Sequence, residues 1–454
     1  MRRVRQSSTG VSRVAVVVFL AVVLSGCWYS PRGGPRNLGA QPFELKLKAS
    51  DVSQLHPLWH GQGFVDESPV VVDTATAFQI GSGQFHAYPV GGGALCPGQD
   101  AVCPSWYGTL PGYGHPSDSV AMPVLTGRYA IAVYSALPLA DTHVYAFDEA
   151  GIDGCAGTPK FCEPVWQAVL PGVSRGGATV DNGRVYVTTS NTFGVFDAAG
   201  VTGCSGTPTT CLPLWTAVTG SNKPATVADG RVFVATAGNG VAGNPIDVFD
   251  AAGITGCSAS PVTCQPLYQL RDDGALLSMK FGVVAVNNGL AYSIGLGRLF
   301  VWDATGTKNC SGTPAVCTQL WADQGVGDGV PAIAGGMVYA VTNGGVNGSA
   351  LEAFDATGTS GCSGVPRECS PLWSGVTGFI DFTSGGPSIA GGLAYVSSLD
   401  GHLYVFDAHG VDGCTGTPIV CQPIDTEVGG GSSQPVSIAG GQVYVASGPQ
   451  VFGV

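Results

Sequence analysis

Charge is scarce in this chain. Only 11% of its 454 residues are Asp, Glu, Lys or Arg, and the 19 basic residues are outnumbered by 31 acidic ones. So few cations over that length exclude the Lys/Arg-dense face that nucleic acid or an anionic membrane surface requires. Enzyme signatures are missing as well: there is no HExxH, GxSxG or P-loop pattern, and the seven histidines (His56, His60, His86, His115, His143, His402, His409) are scattered. No Cys-x-x-Cys gap occurs, which removes the usual setting for a perturbed redox thiol. Glycine, by contrast, is abundant at 70 residues, about twice the average usage of roughly 7%. That composition predicts many short strands joined by tight turns.

The N-terminus reads as an export signal. "MRRVRQSSTGVSR" holds four arginines and no acid, and the apolar run "VAVVVFLAVVL" (Val14 to Leu24) is too short to span a bilayer comfortably. The run ends in "LSGC", which resembles the lipobox of bacterial lipoproteins and implies that Cys27 is acylated as the mature N-terminus. Residues 1–26 are then a signal peptide, and their removal leaves 15 basic against 31 acidic residues, a formal balance of −16. The Pro/Gly-rich stretch that follows makes residues 27–55 a lipidated, flexible tether.

The other fourteen cysteines form seven pairs with one constant gap: Cys96/Cys103, Cys155/Cys162, Cys204/Cys211, Cys257/Cys264, Cys310/Cys317, Cys362/Cys369 and Cys414/Cys421. An even set at fixed spacing in an exported chain reads as disulfides. Zinc would need four converging ligands, yet no His, Asp or Glu recurs at a fixed offset from the pairs. No metal site is expected. Closing a loop of roughly eight residues restricts the unfolded chain by at most about 2.5 kcal/mol.

The pairs also mark a repeat, their first cysteines lying 59, 49, 53, 53, 52 and 52 residues apart. A period of that length means an array or a propeller. Each unit has four apolar runs, A to D; A and B are joined by hairpin dipeptides such as Asn182-Gly183, Asp229-Gly230, Asn288-Gly289 and Gly391-Gly392. Strand C leads into "FDAAG" or "FDATG", where the Asp is a turn builder. Strand A should start near Ser68, Val120, Gly177, Pro224, Leu277, Val330, Pro387 and Pro435. Strand D is marked by Trp59, Trp106, Trp166, Trp215, Tyr268, Trp321, Trp373 and Ile424, with the tryptophans wedged between blades. Because the chain starts with an isolated D run, "HPLWHG", and stops after a C run, "PQVFGV", the two ends should complete one blade. The prediction is an all-β, eight-bladed propeller over residues 56–454, closed by its N-terminal strand.

The units "VYVTTSNTFGVFDAAG" and "AYVSSLDGHLYVFDAHG", with the Trp positions, resemble the PQQ-binding-like β-propeller repeat. That family includes quinoprotein dehydrogenases and non-enzymatic propellers such as a lipoprotein of the outer-membrane barrel-assembly machinery. The dehydrogenases carry adjacent cysteines over the quinone and acidic ligands to calcium. No two cysteines are adjacent in this chain, which implies a non-enzyme.

In a propeller the D-to-A and B-to-C connections share one face, and the staples and tight turns share the other. The expectation is a rigid stapled face and a working face with unequal loops, where Asp66, Glu67, Asp118, Arg175, Lys223 and Asp328 ring a channel mouth that binds a partner. Function is then expected to be a non-catalytic, lipid-anchored, monomeric scaffold for envelope proteins outside the cytoplasm, without cofactor or nucleic acid. Two alternatives are a small-molecule or glycan-binding lipoprotein, and a quinoprotein oxidoreductase holding PQQ with calcium.

Overall fold

The computed structural model describes residues 27–454 apart from 63–67, 111–121, 136–140, 175, 222, 237–243, 274–280, 324, 328, 343–348, 379–385, 429–431, 433 and 447–449. Eight antiparallel sheets carry the fold, one per blade. Blade six shows the unit plainly, with A at Ala332–Ala334, B at Met337–Thr342, C at Ala350–Asp355 and D at Trp373–Val376. The turns follow from their dipeptides: Asn182, Asp229 and Asn288 stand at φ 46°, 50° and 49°, each followed by a glycine near 74°. Only residues that tolerate the left-handed region can make so tight a reversal.

The A strands begin at Val71, Val124, Ala178, Thr226, Ala285, Ala332, Ser388 and Ser437. In blade five the strand therefore starts well past Leu277, which lies outside the described residues. Its place is set by its distance from the Asn288-Gly289 turn, and apolar character alone misleads. The ring closes as the terminal fragments require: His56–His60 pairs antiparallel with Gln450–Gly453 and becomes strand D of blade eight.

Each tryptophan of strand D seals a seam between blades. A Cβ on Gly151, Gly200, Gly253, Gly358 or Gly410 would lie 2.3 Å from Cδ1 of Trp106, Trp166, Trp215, Trp321 or Trp373 of the preceding blade. The indole fills the space that a missing side chain leaves. Trp59 does the same at the closure, lying over Gly92 of blade one and donating from Nε1 to the Val90 carbonyl at 3.1 Å. Register corrects one position: Asp425, opposite Val405, holds the slot that Trp373 holds opposite Ala353, so Ile424 matches Leu372.

All seven disulfides form. Their role goes beyond stiffening one face. Six close a short hairpin that reaches back and adds, in parallel, to strand D of the preceding blade, as Phe161 and Cys162 pair with Tyr107 and Gly108. The seventh, Cys96–Cys103, latches onto the closing strand, where Val102 N–H donates to the His60 carbonyl. The staples thus bridge blades at the outer rim and cover edges that would otherwise be open.

This arrangement adds to the expectation of a rigid stapled face. One cysteine of every hairpin is part of the core: Cys162, Cys211, Cys264, Cys317, Cys369 and Cys421 are each at most 5% exposed, and Cys96 is buried in the seventh loop. Their partners Cys155, Cys204, Cys257, Cys310, Cys362 and Cys414 are half-buried, as is Cys103. The inner cysteine is buried because it lies on the hairpin strand that pairs across the seam, in the same apolar cluster as the D-strand aromatic of the preceding blade. Cys162 joins Trp106, Cys211 joins Trp166, Cys264 joins Trp215, Cys317 joins Tyr268, Cys369 joins Trp321 and Cys421 joins Trp373. Constant spacing in the sequence reveals the pairs but not this inter-blade packing.

Candidate functional site

The stretch expected to be a flexible tether is instead packed inside the ring. From Trp28 to Gln41 the chain circles the channel as a belt along the inner edges of the A strands. The amide of the second residue in six of the eight A strands donates to a belt carbonyl: Val72 to Trp28, Leu125 to Tyr29, Val227 to Pro35, Val286 to Arg36, Ile333 to Leu38 and Ile389 to Gly39, all at 2.8–3.0 Å. Ala40–Gln41 then runs parallel to Ser388–Ala390, and Gln41 Nε2 donates to the Cys27 carbonyl, closing the loop. Composition misled here because a Pro/Gly-rich peptide suits a curved path as well as a disordered one. What decides is the row of unpaired inner-edge amides, and these exist only once the ring has closed.

A second inner layer joins neighbouring blades by hydroxyls. Thr179 donates to the Ala225 carbonyl at 2.6 Å and Ser388 to Val436 at 2.6 Å, while Thr226 and Ser437 make the same bond to Val284 and Val70. At two junctions the hydroxyl-bearing residue is replaced by Ala285 or Ala332, leaving the Pro331 and Pro387 carbonyls without that donor. Arg32 of the belt supplies both bonds, from Nη2 to Pro331 at 2.9 Å and from Nη1 to Pro387 at 3.0 Å. Its guanidinium is fully buried, and desolvation lowers its pKa to about 9. Gly39 and Gly386 make the room, since a Cβ on either would collide with the guanidinium. No motif signals Arg32; the one available sign was a basic residue in a stretch otherwise poor in charge.

Of the predicted channel-mouth residues, Asp66, Glu67, Asp118, Arg175 and Asp328 lie outside the described residues. Lys223 is described. With Met122, Gly176 and Pro224 it bounds a cavity of about 100 Å³ whose other wall is the belt, at Ser30, Pro31, Arg32 and Asn37. A wider groove of about 660 Å³ lies between Ala40–Lys48 and the A-to-B turns of blades six and seven, against Tyr339 and His409. Among the described residues no three His, Cys, Asp or Glu side chains gather as metal ligands.

Two carboxyls, buried Glu149 and half-buried Glu352, stand out electrostatically. Burial pushes Glu149 up to about 7, against the Gly127 and Thr126 N–H bonds that hold it down, and Asp73 adds repulsion. Glu352 reaches about 7 through burial and the nearby charge of Asp323. Cys27 is 3% exposed, and burial raises its thiol pKa although its hydrogen bond with Tyr29 lowers it. The turn aspartates behave as predicted. Burial pushes Asp197 up, but Thr202, Ala199 and Val201 N–H groups bind its carboxylate and bring its pKa below the ordinary value.

No protein-family model matches the chain, and no curated protein matches it in sequence. Its fold is that of several solved structures. BamB from Moraxella catarrhalis aligns at TM-score 0.54 and 13% identity, over 88% of this chain and all of that one. The quinohemoprotein alcohol dehydrogenase ADHIIG from Pseudomonas putida HK5 aligns at TM-score 0.58 and 11% identity, over 94% of this chain and 76% of that one. The quinohemoprotein alcohol dehydrogenase from Comamonas testosteroni aligns at 0.57 and 12%, over 96% and 81%. At such identities the shared property is the eight-bladed architecture.

Proposed function

We propose that this chain is a non-catalytic binding scaffold, exported and anchored through lipid on Cys27 at the outer side of a membrane. The observation that carries the reading is the belt. Where a propeller would hold a cofactor or substrate on its axis, this one holds its own residues 28–41, with a cavity of about 100 Å³ between the belt and the starts of the A strands and one of about 340 Å³ among the belt residues themselves. Seven disulfides support an oxidising, extracytoplasmic location. The likeness to BamB is compatible with a scaffold role, and the likeness to the dehydrogenases keeps the quinoprotein alternative in view.

Lipid anchoring requires the Cys27 side chain to leave its buried place, while the pairing of the belt with the ring starts one residue later, at Trp28. Incorporation of labelled palmitate, lost in Cys27→Ser, checks the anchor. The scaffold itself is tested by crosslinking in intact cells, comparing the chain with a variant neutralised at the six channel-mouth charges. Specific envelope adducts that vanish in the variant support both scaffold and mouth. Stabilisation of the purified protein by PQQ and calcium in a thermal-shift assay would overturn the non-catalytic reading. The groove beside Tyr339 and His409 and the cavity among the belt residues give the small-molecule alternative a physical foothold, and the same assay with a glycan and metabolite panel addresses it.

A further inference from the structure

Arg32 is a buried cation whose hydrogen-bonding capacity is only partly used. A guanidinium carries five N–H groups. In this belt Nη1 and Nη2 each reach one carbonyl, those of Pro387 and Pro331, and Nε meets no acceptor among the described residues. At 4% exposure that is a poor setting for a full charge, because a buried ion without a partner is costly. The ion pairs of arginine among the described residues belong to Arg36, Arg128 and Arg298, and none to Arg32. Its pKa is lowered by desolvation, the direction expected of a cation taken out of water without a compensating anion.

The space beside it has the same sign. The cavity of about 100 Å³ between the belt and the starts of the A strands has Arg32 and Lys223 as the charged members of its described lining, in a chain where acidic residues outnumber basic ones 31 to 19. Met122, Val283, Val330 and Pro435 give it apolar walls. Such a volume holds several waters or one small organic ion. Water would satisfy the spare N–H groups but leave the charge uncompensated, and apolar walls offer it few further partners. A carboxylate answers both needs, since its two oxygens match the N–H fork of a guanidinium.

We infer that this cavity is a binding site for a small aliphatic carboxylate, its oxygens on the Arg32 guanidinium, its hydrocarbon end against Met122, Val283 and Val330, and Lys223 adding positive charge. Occupancy is coupled to the ring, because the same guanidinium ties the belt to blades six and seven through Pro331 and Pro387. The site goes beyond the scaffold reading and does not depend on it.

The probe is sodium propionate added to the intact protein, with propionamide as its neutral counterpart and sodium chloride at matched ionic strength. The melting temperature is expected to rise along a saturable curve, by at least about 2 °C at saturating propionate, and to be unmoved by propionamide. Lys223→Met leaves both Arg32 bonds in place and should weaken the apparent affinity at least threefold. Arg32→Met should abolish the response; if that variant does not fold, the Lys223 variant and the propionate–propionamide pair decide. Equal responses to propionate and propionamide would mean that apolar filling alone is at work, and equal responses to propionate and chloride that any anion serves; each overturns the inference. No response even at the highest soluble propionate would leave water as the occupant and overturns it too. Asp66, Glu67, Asp118 and Asp328 lie outside the described residues and are tested as counter-charges by combining Asp66→Asn, Glu67→Gln, Asp118→Asn and Asp328→Asn. A propionate response that appears only in this variant would show that the chain supplies its own anion, and the site would fall. Crosslinking in cells tests the scaffold without propionate, so the two readings fail separately.

Discussion

At the scale of single residues, two kinds of glycine are used for different reasons, and substitution separates them. Gly183 has φ 73° and open space around its Cβ position, so Gly183→Ala should cost only the left-handed penalty, roughly 1–2 kcal/mol. Gly253 has φ 68° with Trp215 at 2.3 Å, and Gly253→Ala adds a packing clash for a total of about 2–5 kcal/mol. Urea unfolding of the two variants checks the difference; equal losses would mean that the indole is not seated as described. Arg32 allows a sharper test. Arg32→Met strands the Pro331 and Pro387 carbonyls and should cost about 1–3 kcal/mol, the loss of donors being partly offset by removal of a buried charge. Adding Ala285→Ser and Ala332→Ser should recover a measurable part, because hydroxyls at those positions reach the same carbonyls in other blades.

At the scale of elements, the stapled hairpin is a blade-to-blade connector. Cys204→Ser with Cys211→Ser should lower stability by up to about 2.5 kcal/mol. It should also speed amide exchange at Gln167 and Ala168, the residues on which that hairpin pairs in the preceding blade. An effect confined to residues 204–211 would return the staple to a purely local role. The even spacing of cysteines made the pairing legible in the sequence. The direction in which each hairpin reaches was not, because a parallel contact between units leaves no periodic trace inside either one.

For the whole molecule, the buried glutamates and turn aspartates set opposite slopes of stability with pH. Glu149 and Glu352 have folded values of about 7 against an ordinary 4.5, so the folded chain holds these protons more tightly. Their contribution is greatest below 4.5, declines as pH rises toward 7 and is then level. Asp197, Asp250, Asp303, Asp355 and Asp407 are shifted down from 3.8; their contribution is complete above that value and is lost as pH falls through their folded values. His86, lowered by burial from 6.5 to about 4, opposes the glutamates by losing stability as pH falls through that window, so the glutamate contribution is read as a difference: Glu149→Gln with Glu352→Gln should remove a decline in thermal stability between pH 4.5 and 7. Calorimetry across that range gives the slopes directly. Ring integrity makes a second global prediction. A chain beginning at residue 62 lacks both the belt and the closing strand, and should unfold at least about 10 °C lower, with partial recovery when a peptide of residues 27–61 is added.

By itself the sequence determined the number of blades, the disulfide pairs, the tight turns and the use of the first strand to close the last blade. Each of these is local or periodic: Asn-Gly pairs, Asp turns and cysteines repeat at one spacing, so a linear reading recovers them. Only the tertiary structure decided that residues 28–41 line the channel, that Arg32 replaces two missing hydroxyls, and that six stapled hairpins each pair with the preceding blade. These depend on groups brought together by closure of the ring. Arg32 is some 300 residues from Pro331 and more from Pro387. No pattern in neighbouring residues encodes a hydrogen bond across that separation, and the need for it arises only when eight inner edges face one axis.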